Sequence, residues 1–190
     1  MKTTLLTLGF ALAIASCSSA KKEEQPADNT TEIAAKGEQT AISDQQPENA
    51  LTPVLDAYLM VKDALVNDHQ EGAANAGAAL AAALGSLDLT QFASDKQAEL
   101  EEIVEVAKNH GEHISESEIS DQRAHFEAMS SDIKDLVTII GTDRTLYHQY
   151  CPMYSGGKGG MWLSVNQEIR NPLFGARMLK CGKVEDVISL

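Results

Sequence analysis

The chain has 190 residues and a formal net charge of −13, from 28 acidic and 15 basic side chains. Binding to nucleic acid or to an anionic lipid surface needs clustered Lys and Arg, so we expect no nucleic-acid partner. A cationic partner suits this charge better, although surface acidity also serves solubility alone.

The first residues have the pattern of a secretory signal. Lys2 supplies the positive start, and the apolar stretch Leu5 to Ala15 is too short to cross a bilayer. The stretch runs into Ile14-Ala-Ser-Cys17, which is similar to a bacterial lipobox with Cys17 as the lipidated residue. We therefore predict a lipoprotein signal peptide over residues 1–16. The alternative is an ordinary cleaved signal with an incidental cysteine.

Lipidation at Cys17 would make the membrane a partner through the lipid anchor. Such an anchor is stable only when several acyl chains are attached. Ser18, not Asp, follows the lipid site, and by resemblance to enterobacterial sorting this indicates the outer membrane. We predict a cell-envelope lipoprotein, facing either the periplasm or the outside.

Residues 17–50 are predicted to form a disordered tether. They are rich in Lys, Glu, Gln, Thr, Asp and Ala and contain almost no large apolar side chain. Such a segment cannot bury enough surface to offset the entropy lost on ordering. Residues 51–190 remain as a single globular domain, with a bundle over 51–141 and a Cys/Met segment over 145–182.

Four stretches have the apolar spacing of amphipathic helices. Pro53 suits the first turn of the first helix, and Gly85 and Gly141 suit helix ends. The second helix is Ala-rich, so it should pack closely against its neighbours. Short connections predict an antiparallel four-helix bundle in a mainly α fold. The predicted helices cover residues 53–67, 71–84, 94–109 and 117–140.

The Cys/Met segment is predicted to add a β-hairpin, with strands over residues 145–153 and 160–165. A short helix should then run from Pro172 to Cys181, with Asn171 as its N-cap and Gly182 just past its end.

Sulfur atoms should come in two pairs in this segment. Pro152 disfavours the helical conformation for Cys151, so Cys151 and Met153 are expected on one side of an extended chain. Met178 and Cys181 are three residues apart and would share a face of the short helix.

Several strings in the chain resemble the domain of unknown function numbered 3347, which is found mainly in Bacteroidetes-type bacteria. The likeness extends from about Leu51 to the end. Such domains occur as lipoproteins and as appendages of heavy-metal efflux adaptor proteins. The resemblance therefore implies a copper-handling role with an efflux adaptor as a possible partner. The strings are Tyr58-Leu-Met-Val-Lys-Asp-Ala-Leu-Val, Arg123-Ala-His-Phe, Cys151-Pro-Met, Trp162-Leu-Ser, Glu168-Ile-Arg-Asn-Pro and Met178-Leu-Lys-Cys-Gly.

Two interpretations of Cys151 and Cys181 stay open at this point. In an exported domain two cysteines most often pair, and a disulfide here would contribute roughly 3–3.5 kcal/mol in the chain-entropy estimate. Alternatively, thiolate and thioether together select Cu(I). The copper ligands would then be Cys151, Met153 and Cys181, with Met178 next. His148 comes last, because in a regular strand it faces away from Cys151.

Three histidines complete the candidates. His110 and His113 are expected where the third helix ends at Gly111, at a spacing that metal sites use, although exposed helix-end histidines are commoner. Arg123 and His125 match positions of the resembling family, and two interpretations are open for them. They could hydrogen-bond the C-terminal segment to the bundle, or, as the favoured interpretation, form a satisfied structural pair.

We predict that the protein is not an enzyme. The chain contains neither G-x-S-x-G nor H-E-x-x-H. The loop Gly156-Gly-Lys-Gly-Gly160 lacks the Ser or Thr that a phosphate-binding loop needs after Lys158.

Overall fold

A computed structural model describes residues 49–190. The predicted signal peptide, the lipid site Cys17 and nearly all of the predicted tether lie outside this range. In the part of the chain from residue 49 onward, no helix is both long and apolar enough to cross a bilayer.

The described chain is mainly helical and begins with four long helices that pack against one another. They are α1 (Thr52–Val66), α2 (Gln70–Gly85), α3 (Ser94–Glu116) and α4 (Ile119–Ile140). A one-turn 3₁₀ helix, Leu89–Gln91, lies between α2 and α3. The predicted four-helix bundle is therefore confirmed, because each helix buries the apolar face that its 3.6-residue periodicity defines.

The third helix is longer than predicted. Gly111 does not end α3 but is buried in its interior, where it faces Gly77 and Ala81 of α2. A Cβ at Gly111 would lie 3.1 Å from the carbonyl oxygen of Gly77. This glycine is therefore required for the close approach of two helices, not for a helix end.

A three-stranded antiparallel sheet follows the bundle, where a two-stranded hairpin was predicted. Its strands are β1 (Leu146–Cys151), β2 (Gly160–Ser164) and β3 (Lys183–Ile188), in the order β2-β1-β3. Tyr150 pairs with Met161 on β2 and with Lys183 on β3. The central strand β1 is thus held on both sides.

The predicted helix over residues 172–181 is replaced by turns and one 3₁₀ helix, Gly175–Met178. Gly175 has a φ of +58°, a left-handed conformation that interrupts a right-handed helix. A Cβ at this position would also collide with the side chains of Asp68 and Arg123. The bundle therefore dictates the local conformation here.

Replacing Gly77 with Ala tests the close α2–α3 packing. The new Cβ would lie 2.7 Å from Ile114 Cγ2 and 2.9 Å from the carbonyl oxygen of Gly111. Overpacking of this kind costs about 1–3 kcal/mol and should exceed the gain of up to about 1 kcal/mol in helix propensity. We expect a lower free energy of unfolding in urea.

Gly85→Ala is the matched control, since the nearest atom to its Cβ belongs to the flexible Lys108 side chain, 3.8 Å away. This variant should be neutral or stabilised. Equal destabilisation of both variants would contradict the close-packing account.

Candidate functional site

The central strand β1 presents two different faces. Gln149 and Cys151 are buried on one face, under the C-terminal segment that runs from residue 166 to residue 182. His148 lies on the other face, where it lines a shallow cavity with Lys134 of α4 and Met161 of β2. His148 therefore points away from Cys151, as the strand alternation predicted.

The structure brings the two cysteines together. Cys151 is buried at the end of β1, and Cys181 is half-buried just before β3. Their Sγ atoms are 2.8 Å apart, and both are free thiols. We call these two residues the cysteine pair.

The thiol of Cys181 is held in its protonated form. Its hydrogen bond with Cys151 is the largest cause that raises the pKa of Cys181, and burial adds to it. The backbone N–H of Met153 donates to Cys181 and acts in the opposite direction. Deprotonation is therefore expected to accompany bond formation or binding of a cation that offsets the thiolate charge.

Asn171 holds the loop that carries Cys181. Its backbone N–H donates to the carbonyl of Leu179 at 2.8 Å, and its side-chain amide donates to the carbonyl of Cys181 at 2.8 Å. Its Oδ1 accepts from the backbone N–H of Leu173 at 2.8 Å. The capping bond predicted for Asn171 thus exists, but it stabilises a turn instead of a helix start.

Gln149 and Trp162 are buried beneath the C-terminal segment and bonded to each other. The indole N–H of Trp162 donates to Gln149 Oε1 at 2.7 Å. The amide nitrogen of Gln149 donates in turn to the carbonyl of Asn166 at 2.8 Å and contacts the next two carbonyls. Both side chains are fully buried, so the segment lies over satisfied polar groups. No feature of the sequence indicated this role of Gln149.

Arg123 joins the bundle to the C-terminal segment, as in the first of its two interpretations. Its Nε donates to the carbonyl of Pro172 at 2.9 Å, and its Nη2 donates to the carbonyl of Leu65 at 3.0 Å. The same nitrogen also pairs with the carboxylate of Asp68. Asp68 accepts a further bond from the backbone N–H of Ala176 at 3.0 Å.

His125 does not share this role, in contrast to that interpretation. It lies against His110 and His113 of α3 instead. Its side chain therefore belongs to the α3–α4 contact and not to the attachment of the C-terminal segment.

The local structure around the two methionines differs from the one on which the sulfur pairs were predicted, because Met153 follows the end of β1 and Met178 lies in a 3₁₀ helix. The strand ends at Cys151 and Met153 lies in a turn with its side chain 57 % exposed, so Cys151 and Met153 do not share a side. Met178 is half-buried and accepts the backbone N–H of Cys181 on its carbonyl at 3.0 Å. Within residues 49–190, no three or more His, Cys, Asp or Glu side chains already form a metal-binding group.

One comparison with known proteins gives a match. The family model described as "Protein of unknown function (DUF3347)" matches residues 54–145. The match covers the bundle and ends before the cysteine pair. No curated protein and no solved structure matches the chain.

Replacing Arg123 with Met tests its anchoring role. Arg123 is 6 % exposed, so the variant leaves the carbonyl of Pro172 buried without this donor, whereas the carbonyl of Leu65 keeps its bond from the backbone N–H of Asp68. An unsatisfied buried group costs about 1–3 kcal/mol. We expect a loss of that order in the free energy of unfolding, measured in urea. Exposed Arg177→Met is the control, and an equal loss in both variants would contradict the anchoring role.

The Asp68 carboxylate should make stability depend on acid. Its bond from Ala176 and then its bond from Arg123 lower the pKa of Asp68 from the ordinary value of 3.8. This stabilisation is complete above pH 3.8 and is lost as the pH falls through the lowered folded-state pKa. We expect Asp68→Asn to reduce stability at neutral pH and to flatten the acid limb of a Tm-versus-pH profile. An unchanged acid limb would contradict this assignment.

Proposed function

The chain belongs to the family of proteins of unknown function (DUF3347), and because this description names no activity, we propose a function from the cysteine pair. In its reduced state the pair binds a soft metal ion, Cu(I), with the thiolates of Cys151 and Cys181 as ligands. The protein thereby serves copper or heavy-metal homeostasis. The observation that carries the proposal is the approach of two free thiols to 2.8 Å from positions 30 residues apart.

The donor chemistry supports this choice of metal. Thiolate and thioether ligands select Cu(I), whereas hard cations prefer oxygen ligands. Met178 is half-buried three residues before Cys181, and Met153 is exposed two residues after Cys151. Each is a candidate additional ligand after a side-chain rearrangement. His148 is on the opposite face of β1 and does not enter the proposed set.

Metal binding requires the two sulfurs to separate. Two metal–sulfur bonds of about 2.3 Å, the length found for zinc, would enclose an angle of only about 75° at the metal if the Sγ atoms stayed 2.8 Å apart. Cys151 is fixed in the central strand, whereas Cys181 is half-buried in the loop before β3. The loop therefore supplies the movement, and the charge of a bound cation offsets the hydrogen bond and the burial that raise the pKa of Cys181.

The cellular setting is part of the proposal. Lipidation at Cys17 would place the domain at the cell envelope, in the outer membrane. A heavy-metal efflux adaptor would be the partner that receives or delivers the ion. Two observations support this setting. The sequence before Cys17 is similar to a lipobox, and the domains that this chain resembles occur as lipoproteins and as appendages of heavy-metal efflux adaptor proteins.

A second candidate function is favoured by the short distance between the sulfurs. The same two thiols are placed to form a disulfide that closes the segment onto β1. The domain would then be a disulfide-stabilised interaction module of the cell envelope that binds no metal. The loop closure would contribute roughly 3–3.5 kcal/mol.

A Cu(I) titration distinguishes the two functions. The protein from residue 17 onward, with Cys17→Ser, is purified anaerobically and titrated against a competing Cu(I) chelator, with thiols counted beforehand. We expect one equivalent of Cu(I) to be held by reduced protein and none by the Cys151→Ser or the Cys181→Ser variant.

The Met153→Leu, Met178→Leu double variant tests the thioethers, since Leu nearly conserves the apolar volume. It should remain folded and bind Cu(I) more weakly. Met60→Leu is the control, because Met60 is 61 % exposed on α1. The opposite result would be protein that has no free thiols when it is isolated from the cell envelope and that does not compete for Cu(I) after reduction. That result would exclude the copper function and support the disulfide module.

A further inference from the structure

Three histidines meet where α3 and α4 pack together. His110 and His113 are one turn apart on α3, and His125 faces them from α4. The Nδ1 atoms of His110 and His125 are 3.0 Å apart. The ring of His113 stacks on that of His125, with centroids 4.6 Å apart and planes inclined by 8°. This cluster shares no residue with the cysteine pair.

The extension of α3 beyond Gly111 creates the cluster. A helix ending there would have removed His113 from the face that carries His110, because residues three apart share a face only within a helix. His110 and His125 are half-buried, whereas His113 is exposed. Two imidazoles are therefore held in place by the helices and remain reachable from solvent.

The surroundings keep these imidazoles neutral. Burial first, and then the nearby His125 and His113, lower the pKa of His110 below 6.5. Burial and His113 likewise lower the pKa of His125, with Asp121 acting in the opposite direction. A neutral imidazole has a free lone pair, which is the form that binds metals.

The nitrogen spacing suits one class of metal geometry. Two metal–nitrogen bonds of about 2.0–2.1 Å across a 3.0 Å separation enclose an angle near 90° at the metal. Adjacent ligands in square-planar and tetragonal sites have this angle, and nitrogen ligands in that arrangement are typical of Cu(II) and Ni(II). A tetrahedral ion such as Zn(II) would need a wider angle.

We propose that His110 and His125 form a two-histidine site for Cu(II), bridging α3 and α4 through their Nδ1 atoms. The hydrogen now shared between the Nδ1 atoms moves through solvent to Nε2, so both rings stay neutral and bind as donors. Water fills the remaining coordination positions of the metal, and His113 stacks on the ring of His125. Cu(II) is preferred because it binds nitrogen sites more tightly than the neighbouring divalent ions.

The test uses the chain from residue 17 with all three cysteines replaced by Ser, so that no thiol binds or reduces the ion. Calorimetric titration with Cu(II) should give one equivalent, and the electron paramagnetic resonance spectrum should show coupling to two imidazole nitrogens. His110→Gln and His125→Gln should each weaken binding roughly tenfold or more, because the second ligand of a chelate binds at high effective concentration.

His113→Gln should leave the affinity close to that of the parent. His148→Gln, on strand β1, is the matched control. Unchanged affinity in both the His110 and His125 variants, or a spectrum with fewer than two coupled nitrogens, would overturn the proposal. Since the test chain contains no cysteine, neither result depends on whether the cysteine pair binds Cu(I).

Discussion

The buried guanidinium of Arg123 is the interaction on which the C-terminal half of the domain depends. A single side chain from α4 satisfies the carbonyl of Pro172, the carbonyl at the end of α1 and the carboxylate of Asp68. A guanidinium suits this place because its fixed, planar donors serve several acceptors at once. In the segment that carries Cys181, Leu173 is buried in the core and Ile169 and Phe174 pack against it. Polar bonds to the bundle and to β1 fix the path of its backbone. The placement of the cysteine pair is thus a property of the whole domain.

The sequence predicted the parts of the fold that follow from local periodicity. The four helices and the first two strands were found because apolar spacing and turn residues act over a few positions. The third helix was ended too early, since the burial of Gly111 against Gly77 is a contact between distant segments. The helix over residues 172–181 was predicted from good local signals, yet Gly175 takes a left-handed conformation where it packs beside Asp68 and Arg123, and an α-helix cannot continue through it. The edge strand β3 was missed because its largely exposed residues carry little burial pattern.

The candidate site was predicted only in part, for a similar reason. The two cysteines were singled out by the chemistry of their thiols. Their contact could not be predicted, because it depends on the order of the strands in the sheet. Met153 was assigned to the same side as Cys151 on the assumption that the strand continues past Pro152, which it does not. His125 could not be connected with His110 from spacing, because residues on different helices meet only through tertiary packing. Gln149 was overlooked because a lone polar residue in a strand gives no sign that it will be buried.

The sheet order also determines how the backbone would respond to a cut. The chain leaves the central strand at Cys151, passes through the exposed turn at Tyr154–Gly157, and returns beside the same strand after Cys181. When the two sulfurs are joined, the residues between them form a closed ring. A protease that nicks the exposed turn would then release no fragment, because the two pieces stay linked covalently and both remain in the sheet. A domain with joined sulfurs could therefore carry a broken backbone in this turn, whereas the reduced domain depends on noncovalent contacts alone.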